Sequence, residues 1–148
     1  MKSGYLGIVI VIVLLSVLVL SCTGKTESPA PTGTAVIDYA SLEASLRQAG
    51  ATVAEGGSVN QEFFTVGGRI IKLNDEDVQV FEYGDRSTAE AQSKLVSPGG
   101  SSVGTSMITW VATPHFYLSG KLIVLYVGDN MVVKNVLEKV LGAQFAGG

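Results

Sequence analysis

The chain has 148 residues, a formal net charge of -3 and a hydrophobic content of 47%. Fifteen of the hydrophobic residues fall in the first 21, so the positive mean hydropathy is an N-terminal effect and a polytopic membrane protein is excluded. One cysteine excludes a disulfide scaffold, and 13 acidic against 9 basic residues beyond residue 21, with no basic cluster, disfavour a nucleic-acid partner.

In chain order, Met1-Lys2-Ser3-Gly4 is a short segment with one lysine. Tyr5 to Leu20 is a 16-residue apolar run interrupted only by Gly7 and Ser16. A spanning helix needs about 20 apolar residues. The run is short for that and suits the apolar core of an export signal. It ends in Val19-Leu20-Ser21-Cys22, and Cys22 is the only cysteine. An aliphatic residue, a spacer, a small residue and then cysteine resembles the lipobox of bacterial lipoproteins. Leu20 is bulkier than the Ala, Ser or Thr usual at its position. The resemblance implies a signal peptide over residues 1–21, cleavage before Cys22 and a diacylglycerol on the Cys22 thiol. Two or more acyl chains anchor a protein stably where one does not. The competing readings are an uncleaved transmembrane helix and ordinary secretion with cleavage elsewhere.

Thr23 to Ala35 has no large apolar residue and is rich in Thr, Pro and Gly, the composition of a linker. Its 13 residues reach at most about 45 Å. The organisation read from the sequence is a signal peptide (1–21), a lipidated cysteine with a flexible linker (22–37) and a single globular domain (38–148).

Within that domain Asp38 is a candidate N-cap, with Tyr39, Leu42, Leu46 and Ala49 at helical spacing before Gly50. This predicts a helix over 39–49. A short strand over 52–55 is expected next, then a turn at Glu55-Gly56-Gly57-Ser58. Strands over 62–66 and 69–73 are expected to pair through a Gly67-Gly68 hairpin turn. Asn74-Asp75-Glu76 reads as a polar turn before a strand over 77–83. Ser87-Thr88-Ala89-Glu90 has the capping-box pattern, which predicts a second helix ending near residue 96. A strand is expected over 105–112, another over 115–118 and a third over 121–127. Leu122-Ile123-Val124-Leu125-Tyr126-Val127 is apolar without alternation, which marks a central strand covered on both faces. Asp129 or Asn130 caps a third helix over 131–141, stopped by Gly142. The fold class is α+β: a mainly antiparallel sheet with about three helices packed on one face. Tyr83-Gly84-Asp85 and Tyr126-Val127-Gly128-Asp129 each lead from a strand pair into a helix, a faint sign of a duplicated ββα unit.

Chemistry-bearing patterns are few. His115 is the only histidine, so any Ser-His-Asp arrangement would depend on it, and no Gly-x-Ser-x-Gly elbow is present. A zinc site of His and Cys type is excluded on residue count. Asn74-Asp75-Glu76-Asp77 gathers carboxylates but lacks the spacing of a calcium loop and reads as a solvated turn. Gly99-Gly100-Ser101-Ser102-Val103-Gly104 lacks the Lys-Ser/Thr of a phosphate loop and reads as a connecting loop, or else a ligand-side flap. Trp110, His115, Phe116 and Tyr117 are the candidate ligand or partner contacts. They form either the packed face of a sheet or an exposed aromatic platform. No cofactor and no metal are expected.

Pro114-His115-Phe116-Tyr117, Leu122 to Gly128 and Gly142 to Gly147 look like the C-terminal half of small uncharacterised bacterial lipoproteins, a resemblance that brings no activity. The expectation is a lipid-anchored extracytoplasmic protein, held in the membrane by a diacylglyceryl group on Cys22. It would be a non-enzymatic binding or accessory module, with a possible envelope protein as partner. The alternative is a small cell-envelope hydrolase using His115, and a structural envelope protein without a ligand is the third reading.

Overall fold

The computed structural model describes residues 35–148. The expected signal peptide, Cys22 and most of the linker lie outside the described residues. Helix α1 (Tyr39–Gln48) begins at Asp38, whose carboxylate accepts from the Ser41 N–H at 2.9 Å. The Ser41 hydroxyl accepts in turn from the Asp38 N–H at 3.0 Å, closing a capping box. The hydrogen bonds from Ser41 hold the Asp38 carboxyl below its ordinary value. Gly50 takes φ +91° just past the helix, a conformation that glycine adopts without Cβ strain.

Strands β1 (Val53–Val59), β2 (Gly68–Leu73) and β3 (Glu76–Glu82) form an antiparallel meander. The expected turn at Glu55 to Ser58 is instead the middle of β1. Gly56 is an extra residue there, shifting the register between Glu55 and Gly57. Two glycines mark a bulge as readily as a turn. The expected strand over 62–66 and its Gly67-Gly68 hairpin are not formed. Residues 60–67 are a loop, closed by the Phe64 N–H donating to the Gln61 carbonyl at 3.0 Å, and Gly68 opens β2. The loop places buried Phe64 against Phe81 with ring centroids 4.7 Å apart. Its apolar residues were therefore selected for packing, not for pairing. Asn74 and Asp75 join β2 to β3 with φ of 50° and 70°, the positive values that a type I′ hairpin turn requires.

Helix α2 (Arg86–Ser93) is capped two residues earlier than the Ser87 pattern indicates. The Asp85 carboxylate accepts from the Thr88 N–H at 2.8 Å. A two-stranded hairpin, β4 (Ser102–Val103) and β5 (Ser106–Met107), follows. The longer strand expected over 105–112 stops at Met107. β6 (Pro114–Ser119) and β7 (Leu122–Val127) pair through the Gly120-Lys121 turn. Helix α3 (Met131–Leu141) is capped by Asn130, whose side chain accepts from the Val132 N–H at 3.0 Å. A short β8 (Ala146–Gly147) pairs with β6.

The main sheet has six strands in the order β1-β2-β3-β7-β6-β8, with every neighbouring pair antiparallel. Together with the three helices this is an α+β fold. β7 is interior, as its unbroken apolar run requires, and Leu122 to Tyr126 are fully buried. Alternate β7 residues serve two cores. Leu122, Val124 and Tyr126 join Leu42 and Leu46 of α1 and Val133 and Leu137 of α3. Ile123 and Leu125 join Phe81, Ala89 of α2, Phe116 and Phe64. The helices are therefore split between the faces, not gathered on one. A ββα unit repeated about the sheet normal would keep its two helices on one face. With α2 and α3 on opposite faces, the two units are not such a repeat.

Val36 also belongs to the first core, at 6% exposure. It is fixed by the Ser119 hydroxyl donating to its carbonyl at 2.9 Å, while the Lys121 N–H donates to the Ile37 carbonyl at 3.1 Å. The packed chain thus includes residues 36–37, which sequence composition had assigned to the linker.

Candidate functional site

The four aromatic candidates are not brought together on a surface. Along β6, His115 and Tyr117 project to one face and Phe116 to the other, as strand alternation dictates. All three are fully buried. Phe116 lies in the second core, in edge-to-face contact with Trp110 at 5.9 Å. Trp110 is partly buried and donates its indole N–H to the Gly100 carbonyl at 2.7 Å. It also meets Phe63 edge-on at 6.1 Å. The exposed-platform reading is therefore replaced by a packed face. Within the glycine-rich loop Gly100 is built in, since a Cβ there would touch Phe116 and Pro114 at 3.0 Å, while Gly99 and Gly104 face open space.

On the other face His115 stacks on Tyr126 at 6.0 Å, its cross-strand partner in the β6–β7 register. His115 Nδ1 lies 2.6 Å from Gln144 Oε1, so the ring carries its proton on Nδ1 and donates to the carboxamide. Gln144 in turn donates from Nε2 to the Gly147 carbonyl at 3.0 Å. Nε2 of His115 has no partner among the described residues, nor does the Tyr117 hydroxyl. Burial pushes the Tyr117 phenol up to about 12, with Glu138 and Tyr126 adding to the shift. Burial also raises the Tyr126 phenol, while the Asn130 N–H donated to its oxygen opposes the change. A general base needs reach to a substrate proton and an orienting acceptor. His115 is enclosed, and its one hydrogen-bond partner among the described residues is a carboxamide. Sequence reading missed Gln144, which lies 29 positions away on a segment without regular periodicity.

The acidic turn is dispersed among structural contacts. Asp77 pairs with Lys72 at 2.6 Å, Glu76 accepts from the Asn130 side chain at 3.3 Å, and the Asn74 side chain accepts from the Thr52 N–H at 2.9 Å. Among the described residues no group of three or more His, Cys, Asp or Glu could hold a metal ion.

A cavity of about 440 Å³ opens at the β6–β7 turn. One wall is apolar, from Val36, Leu118, Val140 and Leu141, and Arg86 contributes a cation. The chain enters the domain at this end, with Ala35 in the lining and Ile37 60% exposed. Gly120 is indispensable to the arrangement, because a Cβ there would meet the Ile37 backbone. No short motif signals this cavity, whose lining comes from four separate segments. Cys22 lies outside the described residues, among which no helix is long and apolar enough to cross a membrane.

The fold and its buried aromatic face define an α+β domain without a recognisable catalytic constellation among the described residues. Comparison with family models, curated proteins and solved structures gave no match.

Proposed function

We propose that the chain is a lipid-anchored extracytoplasmic protein, held in a bacterial cell membrane by a diacylglyceryl group on Cys22. Its folded domain serves as a non-enzymatic binding or accessory module, with an envelope protein as the expected kind of partner. The observation that carries this reading is Val19-Leu20-Ser21-Cys22 at the end of a 16-residue apolar run, with no other cysteine in the chain. The thioether chemistry needs one thiol at one place, and the sequence has one there. The non-enzymatic half draws support from His115, fully buried and engaged by Gln144. The hydrolase alternative needs a histidine that substrate can reach.

Palmitate labelling of the full chain in a bacterial host tests the anchor. Wild type is expected to take up label, to fractionate with membranes and to lose the first 21 residues. Cys22→Ser keeps the apolar run but removes the nucleophile, so it is expected to lose the label and accumulate uncut. Identical intact masses for the two proteins, apart from the substituted atom, would sink the lipoprotein reading in favour of an uncleaved helix.

A further inference from the structure

We propose that the cavity at the β6–β7 turn binds an anionic phospholipid, with acyl chain on Val36, Leu118, Val140 and Leu141 and phosphate on Arg86. The proposal rests on the lipid-anchor reading for its source of lipid.

The cavity volume of about 440 Å³ falls within the roughly 300–1,000 Å³ typical of small-molecule sites. Its lining has the two characters of an amphiphile. The last turn of α3 and the end of β6 supply branched apolar side chains, and the first residue of α2 supplies a guanidinium. Arg86 contacts Glu90 through Nε at 2.6 Å, which uses one edge of the planar fork. The terminal nitrogens have no partner among the described residues and suit bidentate phosphate binding. Arg86 is 77% exposed, so a head group can reach it without a change of fold. Ile37 adds an exposed apolar residue beside Val36 and Ala35.

The tether gives the source. The described residues begin at Ala35, which itself lines the cavity. Thirteen residues, Thr23 to Ala35, follow Cys22 in the chain and reach at most about 45 Å when extended, so on the anchor reading the free phospholipids of the bilayer that holds the Cys22 acyl chains supply the ligand. Tethering raises the local concentration of those phospholipids without any new contact. General attraction to an anionic surface is not the cause, because the chain beyond residue 21 is acidic. Recognition is confined to one arginine beside an apolar wall.

The test uses the full chain in vesicles of phosphatidylcholine and phosphatidylglycerol, the latter carrying a photoactivatable acyl chain. Cross-linked peptides are mapped by mass spectrometry. Label is expected on the peptides holding Val36, Leu118 and Val140–Leu141. It is expected to fall about tenfold in Arg86→Gln, the loss of one charge-assisted contact. This exposed substitution should not disturb folding, and circular dichroism of the variant checks that. Label confined to residues 5–20, or equal label in wild type and Arg86→Gln, overturns the proposal. Intact mass of the same preparation reports lipidation of Cys22 independently. Cavity labelling in an unlipidated chain would refute the anchor and retain the site. A lipidated chain without cavity labelling would do the reverse.

Discussion

Gly120 has φ +55°, and the backbone of Ile37 occupies the space a Cβ would need. Gly120→Ala is expected to cost about 1–3 kcal/mol, from strain in the left-handed region and from overpacking against residues 36–37. Gly99 faces open space, and Gly99→Ala should stay within about 0.5 kcal/mol of wild type in the same urea melts. A comparable loss at both positions would show that residues 36–37 are not held over the turn. His115 and Gln144 give a second test at this scale. Removing either leaves a buried polar atom unpaired, so Gln144→Ala should cost about 1–3 kcal/mol. His115→Ala should also destabilise, because its ring is enclosed and stacked on Tyr126. A double-mutant cycle should return a coupling of about 0.5–3 kcal/mol, whereas additive losses would mean that the 2.6 Å contact contributes nothing. Sequence alone points to His115 as a solitary residue worth watching. Its partner is invisible there, since nothing in Gly142-Ala143-Gln144 marks a return to the start of β6.

At the scale of elements, β7 carries the largest predicted cost. Leu125 is fully buried on an interior strand, so Leu125→Ala should cost about 2–5 kcal/mol, measured by urea melts. A loss below about 0.5 kcal/mol would contradict its burial. This strand was legible because six successive apolar residues can be satisfied only between two covered faces. The helices α1 and α3 were legible for a different reason. Asp38 and Asn130 stand directly before apolar residues at helical spacing, and each side chain accepts the backbone N–H that its position predicts. Two of the expected strands failed for one cause. Phe63-Phe64-Thr65-Val66 and Ile108-Thr109-Trp110-Val111 are rich in β-prone residues, yet both form loops, with Val111 99% exposed. Aromatic and branched residues fit half-buried surfaces of any backbone shape. Phe64 and Trp110 reach the second core from loops, so they report burial without strand pairing. Local sequence also does not say which face a helix will cover, and α2 therefore took the side opposite α1 and α3.

For the whole molecule, alkaline stability should depend on one tyrosine from each core. Burial pushes the phenols of Tyr83 and Tyr117 up to about 12, against an ordinary value of 10.0. The folded state thus holds these protons more tightly than the unfolded chain does. Their contribution is fully present below pH 10 and is lost as pH rises toward about 12. In the Tyr83→Phe, Tyr117→Phe double variant, melts across that range should show a shallower decline. At neutral pH the same variant should lie within about 1 kcal/mol of wild type, or above it, because both hydroxyls are buried without a partner among the described residues. An unchanged alkaline slope would mean that both phenols reach solvent. The interior position of β7 has a further consequence, in the order of synthesis. The chain emerges from the ribosome N-terminus first. β1, β2, β3, α1 and α2 are all made before residues 122–127, yet neither core can close without those residues. A nascent chain that stops short of β7 has two half-built cores and no reason to commit to either. On this order of synthesis, both cores close only after most of the chain has been made.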